Sequence, residues 1–135
     1  MKLKLLIITD NVLLEKDVKR AFKDVDEVAT VDCAPDAFEA LYKCQTSKPD
    51  VVLVDIEIVL LKGFDLPKMI KIISPSTKTI YTGTLEKSVY RNYLDSKYSD
   101  YFIQNNNLKE DIRKILALME SENVCRDCRK TGRPE

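Results

Sequence analysis

Two aspartates each follow a run of aliphatic residues, where a buried strand would end. Asp55 follows residues 51–54, and Asp10 ends a run that begins at Leu3. Aliphatic runs without polar alternation are typical of strands buried on both faces of a parallel sheet. Open α/β sheets bind ligands at the carboxyl ends of such strands. We therefore predict that Asp10 and Asp55 converge in one small acidic site.

The composition limits the chemistry that this site can perform. The chain has no histidine, which excludes Ser-His-Asp and Cys-His catalysis and histidine-based zinc sites. It has three glycines, and they form neither GxGxxG nor a P-loop. Phosphate chemistry would have to use carboxylates, hydroxyls, backbone amides and a metal ion.

The charge and hydropathy patterns exclude several kinds of partner. Lys+Arg and Asp+Glu both count 22 in the 135 residues, so the net charge is zero. A balanced charge argues against nucleic acid and membrane surfaces as partners. No apolar stretch approaches the ~20 residues of a membrane span, and the N-terminus has no secretory cleavage pattern. We expect a cytoplasmic protein.

Strand and helix patterns alternate five times along the chain. Five βα units with short connections predict a five-stranded parallel sheet with helices on both faces. We expect one domain over residues 1–120, followed by a polar tail over 121–135. The predicted strands are 3–9, 27–31, 51–54, 78–82 and 99–103, and the predicted helices are 12–24, 35–46, one after Gly63, 85–96 and one after Asn107.

Each predicted helix has an apolar face that should pack on the sheet. In the second helix, Pro35 is expected in the first turn. The expected inward residues are Leu14, Val18, Ala21 and Phe22; Ala37, Phe38, Leu41 and Cys44; Leu66, Met69, Ile70 and Ile73; Leu85, Val89, Tyr93 and Leu94; and Leu108, Ile112, Ile115, Leu116 and Met119.

The order of these elements and acids resembles the receiver domain of bacterial response regulators over residues 3–120. Residues 7–11 resemble the acidic turn after the first strand, and residues 52–55 resemble the strand that carries the phosphoacceptor. Gly63 matches a loop glycine, Thr82-Gly83 matches a hydroxyl-plus-small pair, and residues 100–102 match the segment with the switch aromatic.

The resemblance implies a flavodoxin-like, doubly wound (βα)5 fold with strand order 2-1-3-4-5. It implies that Asp55 accepts a phosphoryl group from a sensor histidine kinase or a phosphotransfer protein. Asp10, Asp55 and the backbone carbonyl of Glu57 would hold Mg²⁺. Thr82 would bind the phosphoryl group, and Tyr101 would move inward. The signal would reach a protein partner through the fourth helix, fifth strand and fifth helix; a homodimer is left open.

Three residues depart from the family pattern. Thr9 stands where the family usually has an acid, Gln104 replaces a lysine, and Asn105 replaces a proline. An amide cannot give the charge-assisted contact with a phosphate that a lysine gives. We therefore expect weak Mg²⁺ binding, slow phosphorylation of Asp55 and weak coupling to Tyr101.

Simpler structural roles compete with these functional ones. Asp55 could cap loop amides, and Asp10 could be the N-cap of the first helix. Thr82 could be an ordinary strand residue, Tyr101 a partly buried strand aromatic, and Gln104 a polar loop residue.

The four cysteines allow two interpretations. Cys125 and Cys128 have metal-knuckle spacing, which is a weak signal for zinc. Cys33 and Cys44 would not complete a zinc site with them, because helices on opposite faces of the sheet would separate the two pairs. We expect Cys33 and Cys44 to be small apolar core residues.

Two further functions stay open beside the phosphoacceptor. One is a receiver that acts only as a protein-interaction module, without phosphorylation. The other is a phosphatase of the haloacid-dehalogenase kind, loosely suggested by residues 55–59. That motif normally has Asp rather than Glu57 and follows the first strand, so we expect a protein that is not an enzyme.

Overall fold

Five parallel strands and the helices that pack on them form the described framework of the protein. The computed structural model describes residues 3–23, 25, 28–57, 66–83, 101–104 and 110–118. The strands are β1 Leu3–Ile8, β2 Val28–Ala34, β3 Val51–Asp55, β4 Lys78–Gly83 and β5 Tyr101–Gln104. The helices are α1 Val12–Ala21, α2 Ala37–Ser47 and α3 Leu66–Ile73. Residues 110–118 also form a helix, which we call the last helix because it is the last one within the described ranges.

The strand order is β2-β1-β3-β4-β5, and every pair is parallel. This confirms the predicted five-stranded parallel sheet and the order 2-1-3-4-5. All five residues of β3 are buried, as expected for the central strand of a sheet that is covered on both faces. The carboxyl end of β3 is therefore flanked by the ends of β1 and β4.

Two apolar cores lie on the two faces of the sheet. One core joins alternate strand residues to α1 and the last helix, through Leu14, Val18, Ile112 and Ile115 among others. The other core joins the remaining strand residues to α2 and α3, and includes Ala40, Cys44, Leu66 and Ile70. The predicted inward faces of α1 and the last helix are thus confirmed for the described residues. In α3, Leu66 and Ile70 are buried and Ile73 packs against the same core, while Met69 is half-buried.

The predicted inward face of α2 is wrong at one position. Phe38 was expected in the core, but 84% of it is exposed. Ala40 and Cys44 are the buried residues of this helix. At about 100° per residue, Phe38 lies roughly 160° around the helix from Ala40. It therefore shares the outer surface with Tyr42, four residues later, which is also exposed.

Two helix starts also differ from the predictions. Asn11, not Asp10, is the N-cap of α1; its side chain accepts hydrogen bonds from Leu13 N and Leu14 N at 3.0 and 3.3 Å. Asp36 caps α2 by accepting from the backbone N–H of Glu39 at 2.8 Å. Pro35 therefore precedes the helix instead of lying in its first turn. Both caps satisfy amide groups that a helix start leaves without partners.

Several predictions fall outside the described residues. These are the helix over 85–96, Gly63, Asn105, Leu108, Met119 and the tail over 121–135 with Cys125 and Cys128. Within the described ranges, no helix has both the length and the apolar character needed to span a bilayer.

Two isoleucines of α3 provide a matched test of this packing. Ile70 is fully buried and Ile72 is 71% exposed. We expect Ile70→Ala to lower the free energy of unfolding by about 2–5 kcal/mol, because it removes buried methyl groups and leaves a cavity. Ile72→Ala should change it by no more than about 0.5 kcal/mol. Urea unfolding midpoints at constant slope measure both effects. Equal losses in the two variants would contradict the placement of α3.

Candidate functional site

Three buried residues form a row across the carboxyl edge of the sheet. Asp55 is the last residue of β3 and pairs directly with Thr82 of β4. Thr9 follows Ile8, which pairs with Val54, so it lies on the other side of Asp55. Thr9, Asp55 and Thr82 are 2%, 5% and 0% exposed. Because neighbouring residues in register share a sheet face, one carboxylate lies between two hydroxyl-bearing residues.

The Thr9 hydroxyl is a direct hydrogen-bond partner of Asp55. Its Oγ1 donates to Asp55 Oδ2 at 2.7 Å, and the same oxygen accepts from the backbone N–H of Asn11 at 3.0 Å. The other carboxylate oxygen, Oδ1, accepts from the backbone N–H of Glu57 at 3.1 Å. These donors are neutral. In the sequence, Thr9 only marks an absent acid; in the structure it hydrogen-bonds the central carboxylate.

This role of Thr9 was missed, although the sequence contains a signal for it. If strands 3–9 and 51–54 are neighbours in a parallel sheet, the residues that end them lie side by side. A threonine in one of those places and an aspartate in the other form a natural donor and acceptor pair. The missing information was the register, which the two runs alone do not fix.

Asp10 lies next to this row and differs from it in exposure. It follows Thr9 directly and is exposed. Its carboxylate does not cap α1, because Asn11 fills that position. Glu57 is exposed as well. The described part of the chain contains no cluster of three or more His, Cys, Asp or Glu side chains that could hold a metal; the predicted set has two carboxylates and one backbone carbonyl.

Tyr101 and Gln104, the two predicted site residues of β5, lie beside β4 at opposite ends of the strand. Tyr101 pairs with Ile80, and Gln104 pairs with Gly83. Tyr101 is partly buried against the core beneath α1 and the last helix. It therefore shares the sheet face that carries Thr82, two residues farther along β4. Gln104 is half-buried at the edge of the sheet.

The described cysteines are not activated nucleophiles. Cys33 packs against the core beneath α1, while Cys44 is buried in the core beneath α2, on the opposite face. Burial, together with a hydrogen bond to Glu15, raises the pKa of the Cys33 thiol to about 12. Burial raises the pKa of the Cys44 thiol to about 11. Since the thiolate is the reactive form, both groups are inert near neutral pH.

Comparison with known proteins defines the class of this protein. The strand order and the two helical layers make the fold flavodoxin-like. The family model "Response regulator receiver domain" matches residues 5–117. The chain therefore belongs to the receiver-domain family of two-component signal transduction, as its resemblance implied.

Curated relatives carry this domain within longer proteins. The chain is 26% identical over 117 residues to a protein-glutamate methylesterase/protein-glutamine glutaminase of Methanococcus maripaludis, covering 84% of this chain and 32% of the relative. It is 25% identical over 114 residues to the response regulator GacA of Pseudomonas syringae, covering 84% of this chain and 53% of that one. The chain thus spans about a third to a half of these relatives.

Solved structures show the same fold at lower identity. The isolated REC domain of RcsB from Salmonella enterica superimposes with a TM-score of 0.77 at 16% identity, covering 90% of each chain. The REC domain of AraT from Geobacillus stearothermophilus gives 0.73 at 21% identity, covering 91% of this chain and 99% of that one.

We predict that Cys33 and Cys44 alkylate slowly in the folded protein. At pH 8, iodoacetamide should modify each of them at least about tenfold more slowly than in the urea-unfolded chain, because burial keeps the thiols protonated. Both thiols hold their protons more tightly when folded. Their contribution to stability is therefore full below pH about 9 and falls as the pH rises toward 11 and 12. Peptide mapping by mass spectrometry measures the rates; equal rates in folded and unfolded protein would contradict this assignment.

Proposed function

We propose that Asp55 accepts a phosphoryl group from the phosphohistidine of a sensor kinase or a phosphotransfer protein. The observation that carries the proposal is the position of its carboxylate, at the end of the central strand and in register with the threonine of β4. These 135 residues contain no histidine, so the donor histidine would lie outside this sequence. We also propose that residues 1–120 form the receiver and that residues 121–135 are a tail.

The proposed transfer is a displacement at phosphorus. A carboxylate oxygen of Asp55 attacks the phosphorus atom, a P–O bond forms and the N–P bond breaks, with its electron pair returning to the imidazole. The product is an acyl phosphate, and covalent chemistry of this kind divides one difficult transfer into two easier ones. Thr82 pairs with Asp55, which supports the proposal that its hydroxyl bonds the incoming phosphoryl oxygens.

The oxygen atoms near Asp55 suit Mg²⁺. We propose that Asp10, Asp55 and the backbone carbonyl of Glu57 hold the ion, which keeps several waters and needs one or two carboxylates. Exposed Asp10 is not used as a helix cap, so it can serve as a ligand. When bound, the ion neutralises charge that builds up during phosphoryl transfer. A neutral Thr9 in place of an acid supports weak binding.

The output would be a change at a protein-binding surface. We propose that Thr82 shifts toward the phosphoryl group and that Tyr101, on the same sheet face, follows it. The surface would combine β5, the last helix and the helix predicted over 85–96. Gln104 supplies no positive charge, which favours weak coupling. The proposed partners are cytoplasmic proteins, with no nucleic acid and no membrane.

A receiver domain is not itself catalytic, and the family match over residues 5–117 favours a phosphoacceptor over the phosphatase interpretation of residues 55–59. Methylesterase and glutaminase are names of longer relatives, of which this chain spans about a third. If this chain is part of such a protein, the catalytic activity would reside in the other part.

A second candidate is a receiver that binds its partner without phosphorylation. The hydrogen bond from Thr9 to Asp55 favours it, because the carboxylate is already bonded at both oxygens in the unphosphorylated chain. A partner that binds Asp55→Ala as tightly as the unchanged protein would select this candidate. A several-fold difference in affinity after phosphorylation would select the first.

We predict that Asp55 reacts with small phosphodonors in the presence of Mg²⁺. Incubation with acetyl phosphate should add one phosphoryl mass, and beryllofluoride should shift the NMR signals of the Glu57 and Thr82 amides. Asp55→Asn is the matched control and should show neither change, because an amide is no nucleophile at this position. If the unchanged chain behaves like Asp55→Asn at saturating Mg²⁺, the phosphoacceptor role is wrong.

We predict that Thr9→Asp strengthens Mg²⁺ binding. A second carboxylate beside Asp55 should tighten binding by roughly tenfold. The free energy that corresponds to this tenfold gain is well below the ~4 kcal/mol attraction of unit charges 4 Å apart at an effective dielectric of 20. Without the ion, the same variant should be less stable, because two buried carboxylates repel each other. Calorimetric titration and thermal midpoints with and without Mg²⁺ measure both effects. Thr9→Val is the control, and a Thr9→Asp affinity no higher than that of the control would refute the proposed ligand set.

A further inference from the structure

One hydroxyl connects the Asp55 carboxylate to the start of α1. The backbone N–H of Asn11 donates to Thr9 Oγ1 at 3.0 Å, and the Thr9 hydroxyl donates to Asp55 Oδ2 at 2.7 Å. Thr9 is fixed at this position, since it is 2% exposed and its own N–H donates to the Ala34 carbonyl at 3.1 Å. We call this two-bond series the Asn11–Thr9–Asp55 chain.

Asn11, the donor at the outer end of the Asn11–Thr9–Asp55 chain, is also the N-cap of α1. The Asn11 side chain accepts from the backbone N–H groups of Leu13 and Leu14. A change in the direction of the Asn11 N–H would therefore also displace the cap. The turn that it caps presents Val12 and Leu13, which are 61% and 71% exposed. A disturbance of the cap thus reaches the molecular surface within two residues.

We propose that Thr9 is a positioning residue whose hydroxyl couples the charge of Asp55 to the first turn of α1. A hydroxyl bonded to an anion is polarised, and its oxygen becomes a better acceptor for the next donor in the series. The Thr9–Asp55 distance of 2.7 Å lies at the upper end of the range for an O–H group bonded to a carboxylate. Ionised Asp55 therefore strengthens the bond from Asn11 to Thr9.

Loss of the negative charge on Asp55 should weaken both hydrogen bonds of the Asn11–Thr9–Asp55 chain. In an acyl phosphate, the oxygen not bonded to phosphorus is a neutral carbonyl, which is a weaker acceptor. If the Thr9 hydroxyl instead turns toward the phosphoryl group, its oxygen loses alignment with the Asn11 N–H. Both outcomes loosen the cap of α1. This part of the inference rests on the proposed function, and the route is separate from the one through Thr82 and Tyr101.

The test measures the solvent-exchange rate of the Asn11 amide proton by NMR. Asp55→Asn removes the charge without any phosphorylation, so this arm does not depend on the proposed function. In the Thr9 background, we expect up to about fivefold faster exchange at Asn11, the order expected when the neutral bond from Asn11 to Thr9, worth about 1 kcal/mol, is lost. In the Thr9→Val background, Asp55→Asn should change the rate less than about 1.5-fold. Thr9→Ser retains the hydroxyl and should restore the response.

A second arm uses beryllofluoride with Mg²⁺ on the unchanged chain. The Glu57 amide, which donates to the other oxygen of Asp55, reports whether the ligand has bound. A response at both Glu57 and Asn11, beyond any that Mg²⁺ alone produces, supports the coupling. A response at Glu57 alone overturns it while leaving the phosphoacceptor role intact. Silence at both positions overturns the phosphoacceptor role, and the Asp55→Asn arm then decides the coupling by itself.

Two results of the Asp55→Asn arm would overturn the inference. One is an Asn11 exchange rate that is unchanged in the Thr9 background. The other is an equal acceleration in the Thr9 and Thr9→Val backgrounds, which would mean that the charge acts through space and not through the hydroxyl. The amide spectrum of the core strands shows whether each variant is folded, and Thr9→Ser provides the result if Thr9→Val does not fold.

Discussion

Burying the Asp55 carboxylate between two parallel strands is the constraint on which the site depends. A buried carboxylate without partners is costly, because an unsatisfied charged group loses more than the 1–3 kcal/mol of a neutral one. Here the Thr9 hydroxyl and the Glu57 amide bond its two oxygens. The first of these bonds exists only because β1 and β3 are neighbours in register. The sheet topology therefore determines which groups can bond Asp55 at the carboxyl edge of the sheet.

A hydroxyl at position 9, where the family resemblance implies an acid, changes the electrostatics of this arrangement. A second carboxylate at position 9 would repel Asp55 and increase the demand for a cation, whereas Thr9 donates a hydrogen bond and reduces that demand. The same change gives the site a new connection, because a hydroxyl donates and accepts at once while a carboxylate only accepts. The proposed weak metal site and the proposed hydrogen-bonded path to α1 would thus be two effects of one side chain.

Most of the framework was predictable because it depends on patterns that are local in sequence. The aliphatic runs before Asp10 and Asp55 identified two buried parallel strands, and the apolar spacing of α1, α3 and the last helix identified their inward faces. Phe38 was misplaced because α2 has apolar residues on two sides, and only contact with the sheet decides between them. The Asn11 cap was missed because two capping residues are adjacent. The bond from Thr9 to Asp55 spans 46 residues of sequence, and only strand register could reveal it.

The alternation of side chains along β3 has a consequence for how this sequence can change in evolution. An insertion or deletion of one residue within β3 would turn Asp55 toward the core beneath α2 and away from both threonines. The same event in a connecting loop would leave the row intact. Tolerated length variation among close descendants of this chain should therefore be confined to the loops, and a gap within β3 should coincide with loss of the aspartate itself.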